Sequence, residues 1–270
     1  MKFTARDLND VVSLLAPPEL AYSWDNVGFQ IGESEKSIRR VLCALEVTPR
    51  VIREARESKA QALLVHHPLI FHPLSSISDI VPLERVILEI VRARLCLIVA
   101  HTNLDKSPHG TNRALAELMG LKNLEFLEPE PGSENPAEFG MGYLGILPRP
   151  VLLKGFVASL KKRLSVKNVQ LVGDPRKFVR SVAVLTGAGG DAIRGMNLAR
   201  ADVLLTGEIN HHAALYASIA QMAVICAGHF ATEIVGMNYF AGVLRRQDVI
   251  ERAGVEILVA KNQAPPYQYY

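Results

Sequence analysis

Apolar residues fall into two patterns along this chain. Short unbroken runs, RVLCALEV at 40–47, ALLV at 62–65, LCLIVA at 95–100, SVAVLT at 181–186, ADVLLT at 201–206 and MAVICA at 222–227, predict β-strands. Helical character occupies 49–59 and a segment ending near Arg200, and an amphipathic helix is predicted over 154–164 with Lys161, Lys162 and Arg163 on its solvated side. The order strand, helix, strand occurs in both halves, and strands in each half end in histidine. The runs at 62–65 and 95–100 deliver His66, His67 and His101; those at 201–206 and 222–227 lead to Glu208, His211 and His212, and to His229. A carboxylate stands four residues after the last histidine of each half, Asp105 after His101 and Glu233 after His229. Such self-similarity predicts a duplicated β-α-β unit, hence an α/β protein with mainly parallel pairing within each unit.

In open α/β sheets ligands bind beyond the carboxyl ends of the strands, where all of these polar clusters lie. Two adjacent imidazoles followed by Pro68 form a poor turn and a poor core but a good start on a metal site. Neighbouring side chains on a strand point to opposite faces, so His66 and His67 are expected to diverge and to serve two ions side by side. A dinuclear site needs carboxylates to offset the charge of the ions, and Asp105 and Glu233 are the acids that the repeat places nearest to histidine. A helix beginning near His229 would set His229 and Glu233 on one face, whereas Thr102 and Asn103 favour caps and turns, so 101–105 also reads as a loop. His72 and His109, each beside proline, read as ordinary surface residues. His211 and His212 read equally as groups behind a site and as surface histidines at a helix start. Trp24, Asp25 and Asn26, closed by Gly28, read as a tight turn around an anchored aromatic or as the wall of a pocket for a flat ligand. The segment at 187–190, with glycine at 187, 189 and 190, reads as a plain tight turn or as a loop that could meet an anion.

Composition narrows the classes. With 49% hydrophobic residues in 270, the chain can bury one large core or two ordinary ones. Its 30 basic against 27 acidic residues leave a net charge of +3, too small to imply a nucleic-acid or membrane partner. Cys43, Cys96 and Cys226 stand inside apolar stretches without C-x-x-C spacing, which predicts buried thiols in a reducing cytoplasm. No signal-peptide core and no run of ~18 apolar residues occurs. Residues 128–138, EPEPGSENPAE, read as a linker, and the tail at 264–270 as extended.

The motifs SWDNVG at 23–28, HHPLIF at 66–71, AHTNLD at 100–105, LTGE at 205–208 and AGHFATE at 227–233, in this order, resemble the NGG-interacting-factor-three-like family. Bacterial members of that family are labelled GTP cyclohydrolase 1 type 2 homologues. The resemblance spans residues 3–266 and implies two interlinked α/β domains with mixed, largely parallel sheets, a dinuclear divalent metal site and a toroidal homohexamer. With the boundary at the linker, the first domain is 1–127 with about 222–270 and carries the metal ligands; the second is about 128–221. The implied ligands are His66, His67, Asp105, His229 and Glu233, with Glu233 bridging and His101 behind them or as a weak ligand. Where the family has an aspartate in its first strand, this chain has Glu46. The space between Gly140 and Val182 leaves no room for the domain inserted in longer relatives.

Two ions held by imidazoles and shared carboxylates suit metal-assisted hydrolysis, one lowering the pKa of water and the other polarising the substrate. The family label suggests hydrolysis of a purine C–N bond in GTP, with a phosphoester equally within the chemistry. Alternatives are a non-catalytic scaffold or metallochaperone in the form of a ring, and a transcriptional co-regulator. Zinc, iron, manganese, nickel and cobalt all suit the donor set. No Walker motif or G-x-G-x-x-G after a strand argues for a nucleotide.

Overall fold

A computed structural model describes residues 2–131, 138–195 and 198–268. In chain order the elements are α1 (Ala5–Leu15), β1 (Gly28–Ile31), β2 (Arg40–Ala44), α2 (Pro49–Glu57), β3 (Ala62–Val65), α3 (Pro82–Arg92), β4 (Cys96–Val99), α4 (Thr102–Asp105), α5 (Thr111–Leu118), β5 (Lys122–Pro129) and β6 (Gly140–Leu152). They continue with α6 (Leu153–Leu164), β7 (Gln170–Val172), β8 (Phe178–Ala188), α7 (Ala192–Gly195), β9 (Val203–Glu208), α8 (His211–Ile219), β10 (Ala223–Cys226), α9 (His229–Arg245), α10 (Asp248–Ala253) and β11 (Glu256–Val259). They form two compact units, Met1–Leu104 with Met237–Tyr270, and Asp105–Gly236.

The first unit holds a five-stranded sheet in the order β1, β4, β3, β2, β11, in which only the edge pairing of β1 with β4 is antiparallel. β3 and β4 are buried at every position, as unbroken apolar runs in a parallel sheet should be. Val51, Ile52 and Ala55 of α2 and Ile87 and Ile90 of α3 pack on Leu42, Leu63, Leu97 and Val99. α2 starts where it does because Thr48 accepts a hydrogen bond from the Val51 amide and Pro49 occupies the first turn. α1 is closed at its start by a reciprocal pair in which Thr4 Oγ1 accepts from Asp7 N and the Asp7 carboxylate accepts from Thr4 N.

The second unit holds a six-stranded sheet in the order β5, β6, β8, β9, β10, β7. Its two faces are read off alternate residues: Val182, Val184, Val203, Leu205 and Ile225 join one core with α5 and α6, while Ala183, Leu185, Leu204 and Val224 join another with Ala213 and Ala217 of α8. Here β8, β9 and β10 are parallel neighbours, the counterparts of β2, β3 and β4. The expectation of largely parallel sheets holds for the first sheet and not for this one. β5 and β6 form an antiparallel pair, β6 is antiparallel to β8, and β7 closes the other edge antiparallel to β10.

The expected boundaries also differ from the compact units. The Pro- and Glu-rich stretch at 128–138 begins inside β5, where Glu128 and Pro129 pair with Met141 and Gly140 of β6 and Glu130 N donates to Phe139 O at 3.0 Å. Turn-forming residues mark a hairpin connection as well as a linker, and composition does not separate the two. Residues 132–137 of that stretch lie outside the described residues. The units change instead at 104/105 and at 236/237, the latter within α9. Among the described residues no helix is long and apolar enough to cross a membrane.

Candidate metal centre

In the first unit β3 stops at Val65, yet its pairing with β2 runs on: His66 N donates to Ala44 O at 3.3 Å and His67 N to Leu45 O at 2.9 Å. The two rings do not diverge as strand alternation implied. They lie past the last strand residue, with centroids 5.1 Å apart, and with His101 at the end of β4 they bring one ring nitrogen each within 4.8 Å of one another. His66 is fully buried and the other two are half-buried. His101 thus stands beside the pair on equal geometric terms.

Each of these rings turns its Nδ1 toward a protein oxygen. His66 Nδ1 bonds the Ala100 carbonyl at 2.9 Å, His101 Nδ1 bonds Asp25 Oδ1 at 2.8 Å, and His67 Nδ1 faces Glu46 Oε1 at 3.4 Å. A carbonyl can only accept, so His66 carries its proton on Nδ1 and its lone pair on Nε2. The Asp25 side chain is buried and also accepts from Thr102 N at 3.1 Å and from Thr102 Oγ1. Burial pushes its carboxyl up, but the bonds from His101 and Thr102 outweigh that and bring it down to about 2. Asp25 is therefore an ionised acceptor that fixes the His101 ring. Glu46, the departure from the family pattern, occupies the same place behind His67.

In the second unit His229 opens α9 and reaches two carboxylates. Its Nδ1 lies 3.1 Å from Glu208 Oε1 at the end of β9, and its Nε2 lies 3.1 Å from Glu233 Oε2 one helical turn on. The i, i+4 placement anticipated from sequence is realised by the helix. Glu233 is buried, and Gly187 makes the room: φ is +65° there, and a Cβ would collide with Glu233 Oε1. Gly207 is equally constrained, since a Cβ would stand 2.8 Å from His229 Cα and from Thr232 Oγ1. The two follow in the strings LTG at 185–187 and 205–207, a repeat in the sequence that could have flagged both. Asp105, last residue of α4, accepts from Thr111 Oγ1, which meets Thr186 Oγ1 at 2.7 Å, while Asn112 Nδ2 donates to the Asp105 carbonyl at 3.0 Å. Thr111, Asn112 and Thr186 are buried polar residues that sequence reading missed.

Other candidates sort plainly. His211 and His212 are exposed at the start of α8, capped by Asn210, which accepts from Ala213 N at 2.8 Å; neither joins a group of three metal-competent side chains among the described residues. Nor does Asp105. Of the glycines at 187–190, Gly187 within β8 makes the close approach to Glu233, and Gly189 lies against Thr206. All three cysteines are buried free thiols, and burial pushes Cys43 up to about 12 and Cys226 to about 11, so neither offers a thiolate at neutral pH.

An α/β protein with two mixed sheets, whose strand ends carry histidines oriented by protein oxygens, is the class that this fold and these side chains define. The chain belongs to the Duf34/NIF3 (NGG1p interacting factor 3) family, whose sequence profile matches residues 3–266. It is 30% identical over 266 residues to a protein of Clostridium perfringens named GTP cyclohydrolase 1 type 2 homolog, covering 97% of this chain and 99% of that one. NIF3-like protein 1 of Drosophila melanogaster is 32% identical over 90% of this chain and 84% of its own length. Among solved structures, a Staphylococcus aureus protein superposes with a TM-score of 0.92 at 27% identity over 99% of both chains. The alignment of 266 residues that covers nearly all of both this chain and the Clostridium perfringens relative agrees with the short form of the family.

Proposed function

We propose that this protein is a dinuclear metal-dependent hydrolase. The observation that carries this reading is the orientation of the histidines: Nδ1 of His66, His67, His101 and His229 faces Ala100 O, Glu46, Asp25 and Glu208 respectively. Metal-ligating histidines use such a partner on the far nitrogen to fix the ring and raise the basicity of the near one. A chance surface cluster has no reason to repeat the device four times. The donor set of imidazole and carboxylate fits divalent zinc, iron, manganese, nickel or cobalt.

His66, His67, Asp105, His229 and Glu233 would hold the ions, with His101 beside them. When bound, the ions supply a Lewis acid and water of lowered pKa. The chain's own part is to fix the ligands: Asp25 and Glu46 hold imidazoles in one tautomer, Gly187 admits the Glu233 carboxylate, and Thr111 steadies Asp105. The protein works in the cytoplasm as a homohexamer on a small molecule. The name of the Clostridium perfringens relative makes GTP the first substrate to assay, followed by a phosphoester panel.

In the experiment, Glu233→Ala and His67→Ala proteins are purified and their metal measured by elemental analysis. Both should fold and hold well below two ions per chain; full metal in either overturns the ligand assignment. Turnover by the loaded protein that disappears in Glu233→Ala supports a hydrolase, and metal binding without turnover on any probe leaves a scaffold.

A further inference from the structure

Beside the histidine cluster of the first unit lie three aromatic rings that the fold leaves in water. Trp24 is 55% exposed, Phe71 37% and Tyr22 36%. Trp24 stacks on Tyr22 with centroids 5.4 Å apart and planes 19° from parallel, meets Phe71 at 5.8 Å, and meets the His101 ring edge-on at 6.3 Å. Single exposed apolar side chains are ordinary, but a contiguous set that abuts a polar site is not.

The set is also held open. Tyr22 N donates to Thr102 Oγ1 at 3.2 Å, and the buried Asp25 carboxylate binds both His101 and Thr102. Asn26 Nδ2 donates to Ile70 O, while the Gln30 amide donates to Asn26 O and Ile70 O at 2.9 Å and accepts from Ile70 N at 3.0 Å. These bonds tie the segment bearing Trp24 to the segment bearing Phe71. They prevent the hydrophobic collapse that would otherwise hide the rings.

We propose that Tyr22, Trp24 and Phe71 form a stacking platform for the planar heteroaromatic ring of a small-molecule ligand, whose polar end reaches the histidine cluster past His101. Aromatic faces bind flat rings without demanding a particular hydrogen-bond pattern, and rings fixed in advance lose little entropy on binding. A macromolecular partner would need about 1,000 Å² of interface, far more than three side chains offer. The proposal rests on the metal-site reading only for the direction of the ligand's polar end; the platform itself requires no ion.

Trp24 is the single tryptophan of the chain, so emission excited beyond the absorption band of the seven tyrosines reports on the platform. The metal-free protein is titrated with guanosine, pterin and, as the ringless control, ribose 5-phosphate. Saturable quenching by the ring-bearing probes, absent with ribose 5-phosphate and weakened about tenfold by Phe71→Ala, is expected. Phe71→Leu, which keeps an apolar side chain without the ring, should weaken it less while showing the same far-ultraviolet spectrum. The proposal is overturned if no ring-bearing probe quenches saturably, or if Phe71→Ala leaves the affinity unchanged. It is also overturned if Trp24 emission follows protein concentration instead of probe, since a second copy of the chain would then cover the rings. The same titration on Glu233→Ala separates the two readings: ring binding persists there even if that variant retains full metal and the ligand assignment fails.

Discussion

Asp25 shows how much one residue decides here. Its carboxyl lies below its ordinary value of 3.8, at about 2, because bonds from His101 and Thr102 overcome the effect of burial. A depressed carboxyl contributes stability that is fully present above the unfolded value and is lost as pH falls through the folded one. In the metal-free protein, urea unfolding at a series of pH values should therefore show about 2 kcal/mol lost from pH 4 down to pH 2, a loss that Asp25→Asn flattens. Gly187 is the second such residue. Gly187→Ala should weaken metal binding about tenfold in chelator competition, because the left-handed backbone and the Glu233 carboxylate both resist a side chain. Gly155→Ala is the matched control, in helix α6 with nothing within 4 Å of the added carbon, and should raise stability by about 0.5–1 kcal/mol. The histidines and acids were legible in sequence because ligand chemistry is restricted to few residue types. The roles of Gly187, Gly207 and Thr111 were not, since each leaves space for or supports a neighbour, and that depends on what the fold brings beside it.

Among the elements, the end of β2 is held from both sides. β11 pairs with β2 as far as Val259 against Cys43, and Ala260 N donates to Cys43 O at 2.8 Å. Past that point the Gln263 side chain takes over the ladder, its Oε1 accepting from Leu45 N at 2.6 Å, while the Leu45 carbonyl accepts from His67 N. Glu54 steadies this segment by accepting from Lys261 N and Asn262 N at 2.8 and 2.9 Å. Gln263→Ala should accordingly loosen both Glu46 and His67 and weaken metal binding several-fold by isothermal titration, and Gln263→Glu, which keeps the acceptor oxygen, should restore most of the affinity. The parallel strands β2, β3, β4, β8, β9 and β10 were legible because each is an unbroken apolar run. β5, β6 and β7 were not. β6 reads GMGYLGILPRPVL, and its glycines and prolines obscure strand periodicity that tertiary pairing with β5 and β8 nevertheless imposes.

For the molecule as a whole, matching parallel triplets of strands in two sheets agree with a duplicated unit, while the antiparallel strands added around the second triplet make the two sheets unequal. The second unit is one continuous stretch of chain, whereas the first is assembled from both ends of it. Residues 105–236 expressed alone should melt cooperatively in calorimetry. Residues 1–104 alone should aggregate, because β2, with Val41, Leu42 and Cys43 buried, becomes an uncovered edge without β11.

The position of β11, far behind β2, β3 and β4 in the chain, also sets an order of events during synthesis. Domains fold as they emerge from the ribosome, beginning from the N-terminus. The sheet that presents His66, His67 and His101 lacks its edge strand β11 until residues 256–259 have been made, long after His101. Nascent chains therefore hold these histidines on an unfinished sheet. If the metal site needs that sheet complete, ions would enter only after β11 has docked, and a chain stalled before residue 256 would bind metal poorly.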